Sequence, residues 1–249
     1  YVRADLRLAE DCARAIGDCR YVFHCAAVTS GAAVIVGAPM THVTPNIVMN
    51  ALLLEAAYRA GVEKFLWIGS ASGYPDVGRH AVTEDEFFNG DPHPVYYCVG
   101  WMKRFTEILC GMYSQRLTDP MTTIILRPTN LYGPRDNFDP RTSRVAAALI
   151  RRVVEGENPM TIWGTGEEVR DLLYVDDLVD ALVLAAEKLD DPIALNVASG
   201  EAHTVREILQ LVMEIDGYVG AKVLFDPSKP STIPIRLLDT SLIEHTLGW

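Results

Sequence analysis

Ser70 follows the apolar run Lys64-Phe-Leu-Trp-Ile-Gly69. A hydroxyl at the carboxyl end of a parallel strand lies where open α/β sheets take up ligands, placed to hydrogen-bond a carbonyl oxygen. The same serine, in Gly69-Ser70-Ala-Ser72-Gly-Tyr74-Pro75, equally suits a helix N-cap or a turn. Lys103 and Glu107 stand four apart on a predicted helix, the spacing of an ordinary surface ion pair. Ala26 and Ala27 end an earlier strand, where small residues let backbone approach a flat cofactor or simply pack helix on strand. Asp5 and Leu6 precede the helix that leads into that strand.

The elements that must position these groups alternate. Tyr21-Val-Phe-His-Cys-Ala-Ala27 and Lys64-Phe-Leu-Trp-Ile-Gly69 are short, nearly continuous apolar runs, as parallel strands covered on both faces require. A Leu- and Ala-rich stretch from about Pro45 to Ala60 reads as a helix stopped by Gly61 at its C′ position. A second helix is predicted over about Val99 to Leu117, followed by the strand Thr122-Thr-Ile-Ile-Leu-Arg127, closed by Pro128. This alternation predicts an α/β fold, a Rossmann-like doubly wound parallel sheet. Beyond Pro128 come turn-formers, an amphipathic helix over about Thr142 to Glu155, and short strands near Thr161 and Asp171, the texture of a smaller mixed α/β lobe. Ile193-Ala-Leu-Asn-Val-Ala-Ser199 returns the chain to the first sheet before further helices from Thr204. The expected division is 1–128 with 172–200 for the sheet domain and 129–171 with 201–249 for the lobe.

A dinucleotide-binding sheet opens with a strand, a glycine-rich turn and an acidic residue for the ribose. None of these is present before Tyr21. Gly31-Ala-Ala-Val-Ile-Val-Gly37 has the wrong glycine spacing and reads as a mobile loop beside a ligand. The chain is therefore expected to start at the third strand, with about 60 residues, two strand–helix units, preceding it in the whole protein. A formal net charge of −11 argues against a nucleic-acid surface while allowing a local basic pocket. Five widely spaced cysteines without a CxxC pair suit free thiols in a reducing compartment and indicate no metal site. No apolar run reaches the ~20 residues of a membrane helix, so the cytoplasm is the expected compartment.

Together these segments resemble the extended short-chain dehydrogenase/reductase family of nucleotide-sugar epimerases, dehydratases and reductases, and within it the GDP-L-fucose synthase branch. The resemblance runs from Ala4 to Trp249. Its most specific pieces are Arg127-Pro-Thr-Asn-Leu-Tyr-Gly-Pro134, Trp163-Gly-Thr-Gly166, Arg170-Asp-Leu-Leu-Tyr-Val-Asp-Asp177 and Phe225-Asp-Pro-Ser-Lys-Pro230. It implies NAD or NADP as cofactor and a nucleotide-diphosphate sugar as substrate. It further implies a homodimer pairing the helices at about 45–60 and 99–117. Ser70 falls on the active-site serine, Lys103 on the lysine of a Tyr-x-x-x-Lys motif, and Asn46 on an ordering asparagine. Asp5, Leu6, Ala26, Ala27, Lys103, Pro128 and Asn130 are expected against the dinucleotide. Ser72, Asn130, Arg144, Arg152, Trp163, Arg170 and Lys229 are expected against the sugar nucleotide, guanidinium forks meeting phosphate.

The departure is Val99, which the ungapped spacing puts on the proton-transferring tyrosine. Reading Tyr97 as that tyrosine would put Trp101 on the lysine. Pro92 and Pro94 keep the chain before Val95 non-helical, leaving Tyr96 and Tyr97 near the helix start. On an ideal helix Tyr96 shares the face of Lys103 at ~10 Å along the axis, and Tyr97 points about 120° off it. Ser70, Tyr97 and Lys103 are the expected catalytic set, Tyr96 being the other candidate for a displaced tyrosine. Ser72 and Arg144 stand where the branch has the cysteine and histidine of its epimerisation, and neither makes a good acid/base at neutral pH. The dehydratase Asp-Glu couple is replaced by Ala71-Ser72, which disfavours dehydration. Two functions follow: an NAD(P)-dependent epimerase or 4-keto reductase with an atypical site, or a catalytically silent protein that binds both nucleotides.

Overall fold

The computed structural model describes residues 1–29, 31–229 and 233–249, the side chains of Ala32 and Ala33 excepted. After α1 (Ala9–Ile16), strand β1 (Tyr21–His24) leads through α2 (Ala32–Gly37) and α3 (Met40–Arg59) to β2 (Lys64–Ile68). Helix α4 (Tyr97–Gln115) precedes β3 (Thr122–Pro128) and β4 (Asn130–Tyr132). Next come α5 (Val145–Val154), β5 (Met160–Trp163), β6 (Val169–Arg170), β7 (Leu172–Tyr174), α6 (Val175–Lys188) and β8 (Ile193–Val197). The chain closes with β9 (His203–Thr204), α7 (Val205–Asp216), β10 (Val223–Asp226), β11 (Ile235–Arg236) and α8 (Ser241–Leu247).

Strands β1, β2, β3 and β8 form a parallel sheet in that order. Successive side chains of a strand face opposite ways, so Phe65 and Trp67 pack with Cys12, Leu53, Leu54 and Cys110 from α1, α3 and α4. Leu66 and Leu126 pack on the other side with Leu178, Ala181 and Ile243 from α6 and α8. Each fully buried side chain of this size contributes roughly 1.5–3 kcal/mol. This is the doubly wound sheet read from the alternation. Away from it, Leu149 and Val153 of α5, Met160 and Ile162 of β5, and Ile208 and Leu209 of α7 form a separate apolar cluster.

Four expectations need correction. Helix α3 starts at Met40, five residues before Pro45, which sits inside it. Proline lacks only one helical donor, and the rest of the turn carries the helix past it. The segment expected as a loop from Gly31 to Gly37 forms α2, a run of small and aliphatic residues whose far side contacts the turn at Pro94–Tyr96. Helix α4 starts at Tyr97, where Val99 was expected, and the amphipathic helix of the lobe is the shorter α5.

Candidate active site

A cavity of about 520 Å³ opens at the carboxyl ends of β1, β2 and β3. Its floor includes Ser70, the N-cap of a short turn at Ala71–Gly73, whose Oγ accepts a hydrogen bond from Ser72 N at 3.1 Å. Both local readings of that serine therefore hold: it caps a turn and faces the cavity. Gly100 lets α4 press onto this turn, since a Cβ there would lie 2.7 Å from Ser72 O. The Ser72 hydroxyl lines the same cavity without a partner among the described residues.

Lys103 and Glu107 do not pair on the surface. Glu107 is buried and takes a bidentate bond from Arg127, at 3.0 and 2.7 Å, because β3 brings that guanidinium under α4. Lys103 turns to the sheet instead, where Nζ donates to Ile68 O at 3.1 Å and Gly69 O at 3.2 Å, 4.7 Å from the Trp67 ring centre. Burial pushes its pKa down to about 8, partly offset by Glu107 and reinforced by Arg144. Asn46 clamps the end of β1 to α3: its Oδ1 accepts from Val28 N, and its Nδ2 donates to Val28 O and His42 O, all at 2.9 Å. Behind it His24 bonds Asn50 at 2.8 Å, and Asn50 donates to Thr106 of α4 at 3.0 Å. Burial holds that histidine neutral, with a pKa of about 4.

The two candidate tyrosines separate. A 3-10 turn at Pro94–Tyr96, started by His93 Nδ1 accepting from Val95 N, precedes α4 and rotates Tyr96 into the cavity beside Val99. Tyr97 is the first residue of α4, half exposed, and lies edge-on to Trp101 at 6.5 Å between ring centres. It is absent from the cavity wall, which Ser70, Lys103 and Tyr96 all line.

On the opposite wall, β6 and β11 pair in parallel with Arg170 directly across from Arg236. Both are buried, and both line the cavity. Arg170 donates to Val169 O at 2.7 Å. Arg236 reaches Pro75 O at 3.3 Å and Tyr74 O at 3.5 Å, and its buried Nε has no partner among the described residues. Burial lowers its pKa to about 10, against the phenols of Tyr96 and Tyr74, which raise it. Asn130, Arg144, Arg152, Trp163 and Pro128 also line the cavity, Arg152 with its guanidinium held by Glu157 at 2.6 Å. Lys229 does not; it is exposed in the turn after β10, while Arg236, seven residues on, lines the cavity. The signal for Arg236 is a lone cation in the apolar run Ile233-Pro-Ile-Arg-Leu-Leu238. His24, His42 and Glu168 also line the cavity and were not expected there.

A second cavity, of about 640 Å³, shares Ala26, Ala27 and Val28 with the first and is bounded by Asp5, Leu6, Pro45 and Met49. The Asp5 carboxylate is bound by Arg7 at 2.9 and 2.7 Å and held down to about 2 by that bond. Small side chains at the shared wall leave room for the flat rings of a dinucleotide to approach the backbone. Among the described residues no helix is long and apolar enough to cross a membrane, and no group of His, Cys, Asp or Glu is placed to hold a metal ion.

Residues 1–198 match the model of the NAD dependent epimerase/dehydratase family. The chain is 34% identical over 235 residues to the probable GDP-L-fucose synthase 1 of Oryza sativa subsp. japonica, covering 92% of this chain and 70% of that relative. Among solved structures, UDP-glucose 4-epimerase of Thermotoga maritima, with UDP-glucose, superposes with a TM-score of 0.87 at 31% identity, over 100% of this chain and 78% of that one. A GDP-mannoheptose C4 reductase of Campylobacter jejuni, with NADP bound, gives 0.83 at 25% identity, over 99% and 81%.

Proposed function

The chain belongs to the NAD dependent epimerase/dehydratase family, and from that premise we propose an NAD(P)-dependent epimerase or 4-keto reductase of a nucleotide-diphosphate sugar, with Tyr96 supplying the hydroxyl that Val99 lacks. The observation that carries this reading is that Tyr96 shares one cavity with Ser70 and Lys103 while Tyr97 does not. Relatives solved with UDP-glucose and with NADP support the two ligand classes. The sheet segments 1–128 and 172–200 would hold the dinucleotide, and 129–171 with 201–249 the sugar nucleotide.

When bound, the nicotinamide supplies or accepts the hydride. The chain's own residues do the rest. Ser70, whose Oγ already accepts from Ser72 N, donates its hydroxyl proton to the reacting sugar oxygen. The Tyr96 phenol gives a proton to that oxygen during reduction, or takes it during oxidation. Lys103 donates to the cofactor ribose and its charge favours the phenolate. Ala26 and Ala27 admit the flat ring, with Asp5, Leu6 and Pro128 along the path of the dinucleotide. Arg170 and Arg236, side by side across the β6–β11 ladder, take the diphosphate, with Asn130, Arg152 and Trp163 around the remainder of the nucleotide.

Tyr96→Phe should lower kcat by about a hundredfold or more with dinucleotide affinity retained, and Tyr97→Phe should leave turnover unchanged. Wild-type turnover in Tyr96→Phe would remove Tyr96 from the mechanism. A second reading, a catalytically silent binding protein, is favoured by Val99 itself. Bound cofactor with no hydride exchange over a panel of nucleotide sugars would establish it.

We further propose a cytoplasmic homodimer. Trp101, Phe105, Ile108 and Met112 recur at helical spacing along α4 and are exposed, beside Val48 of α3. Pairing this face with its copy would cover it. A single-chain mass by light scattering at micromolar concentration would overturn the dimer.

A further inference from the structure

Tyr96 is the last residue of a turn that a single histidine begins. Pro94 holds His93 extended, at ψ 136°, and from there the His93 Nδ1 accepts from Val95 N at 3.2 Å while its carbonyl accepts from Tyr96 N at 2.8 Å. A backbone amide only donates, so Nδ1 is unprotonated and the ring hydrogen sits on Nε2. Tyr96 is itself the N-cap of α4, with φ −107° and ψ 12°, outside the helical well. Its direction is therefore set by the turn before it and not by the helix after it.

The ring of His93 is enclosed by charge. Only 11% of the side chain is exposed, and Nε2 faces Asp76 Oδ2 at 3.8 Å, on the segment that follows the Ser72 turn. Arg236 of β11 holds the same segment through Pro75 O and Tyr74 O, and Tyr74 O also accepts from His93 N at 3.2 Å. Tyr96, Tyr97 and Cys98 follow on the turn and the first residues of α4, and α2, which packs against the turn, carries no titratable side chain. Burial lowers the His93 pKa from its usual 6.5, Asp76 opposing that shift and Arg236 adding to it.

We propose that His93 is the positioning residue of the acid/base tyrosine: neutral, it caps the turn that aims Tyr96 into the cavity, and a solvent proton taken up at Nδ1 releases the turn, so that turnover falls on the acid side. The inference rests on the reading of Tyr96 above and names what holds that side chain in place. Once protonated, Nδ1 meets the Val95 N–H donor to donor, and the cap becomes a repulsion. The bond from Tyr96 N to His93 O and the ring of Pro94 remain, so the loss is partial. Removing one capping bond of this kind lowers the population of the aimed turn about five- to tenfold. Arg170 and Trp163 stand on other elements, so the loss falls on kcat and not on KM.

The test joins two measurements on the full chain. Long-range proton–nitrogen NMR reads the His93 tautomer, and hydrogen exchange reads the Val95 amide. At neutral pH the ring should carry its hydrogen on Nε2, and Val95 exchange should accelerate as His93 titrates, below pH 6.5. A hydrogen on Nδ1, or a Val95 amide indifferent to that titration, would overturn the cap. Turnover is followed against pH with NAD and UDP-glucose, and with NADPH and a GDP-4-keto-6-deoxy sugar. His93→Ala should lower kcat about five- to tenfold with KM little changed. His93→Asn, whose Oδ1 accepts from the amide two residues on without titrating, should recover most of kcat and hold it to lower pH. Undiminished kcat in His93→Ala where Tyr96→Phe is impaired, His93→Asn as slow as His93→Ala, or an acid decline unchanged in His93→Asn would each overturn the proposal and leave Tyr96 in the mechanism. Unimpaired turnover in Tyr96→Phe, or no turnover with either substrate pair, would instead remove the tyrosine reading, and this inference with it.

Discussion

On the sheet wall of the cavity Ser70, Lys103 and Asn46 each bond backbone of the protein itself, at 2.9–3.2 Å, whereas on the facing wall Arg236 keeps a buried Nε without a partner and Arg144 is unpaired among the described residues. The first wall is complete before any ligand arrives. Strand ends supply unused carbonyls and amides, and side chains reaching them become fixed. On the second wall the Arg236 guanidinium has lost water without gaining full replacement, which is why burial lowers its pKa to about 10. One wall is satisfied by its own backbone, and under the proposed function an anion would complete the other.

The sharpest way to break this comparison is Arg236→Met. A guanidinium buried beside the diphosphate should contribute about 2–4 kcal/mol to binding, so affinity for UDP or GDP should fall by roughly 30-fold or more. Thermal stability of the ligand-free protein should stay level or rise, because an incompletely satisfied buried cation is removed. A loss of stability with affinity unchanged would put Arg236 in the same class as the sheet wall.

A smaller effect should come from pH. Lys103 is charged below about 8, so dinucleotide affinity and kcat/KM should decline as pH rises through that value. Its contribution to stability runs the other way. Between about 8 and its unfolded pKa near 10.5 the unfolded chain binds more protons, so ligand-free stability rises with pH in that window. Lys103→Met should abolish both trends. Persistence of the alkaline decline in that variant would assign it to another group.

The parallel strands, the flanking helices and the position of Ser70 at a strand end were legible because they rest on short-range pattern, apolar runs and a glycine stop, whereas Lys103 was reached only through the family resemblance. Glu107 was not legible in the same way. Its i,i+4 spacing to Lys103 is local, but the β3 strand delivers Arg127 from twenty positions away and takes the carboxylate. Lys229 failed for a related reason. A cation on a turn is free to face solvent, while Arg236 is committed to the wall by its ladder partner Arg170.

Sequence alone therefore determined the sheet and the family, since these depend on residue type and period. Only the tertiary structure decided which of the two neighbouring tyrosines faces the cavity. Tyr96 and Tyr97 are adjacent and chemically identical, and a single 3-10 turn between Pro94 and the start of α4 sends one into the cavity and the other against Trp101. That turn is fixed by what packs around it, α2 on one side and the Ser72 turn under Gly100 on the other, contacts between segments distant in the chain.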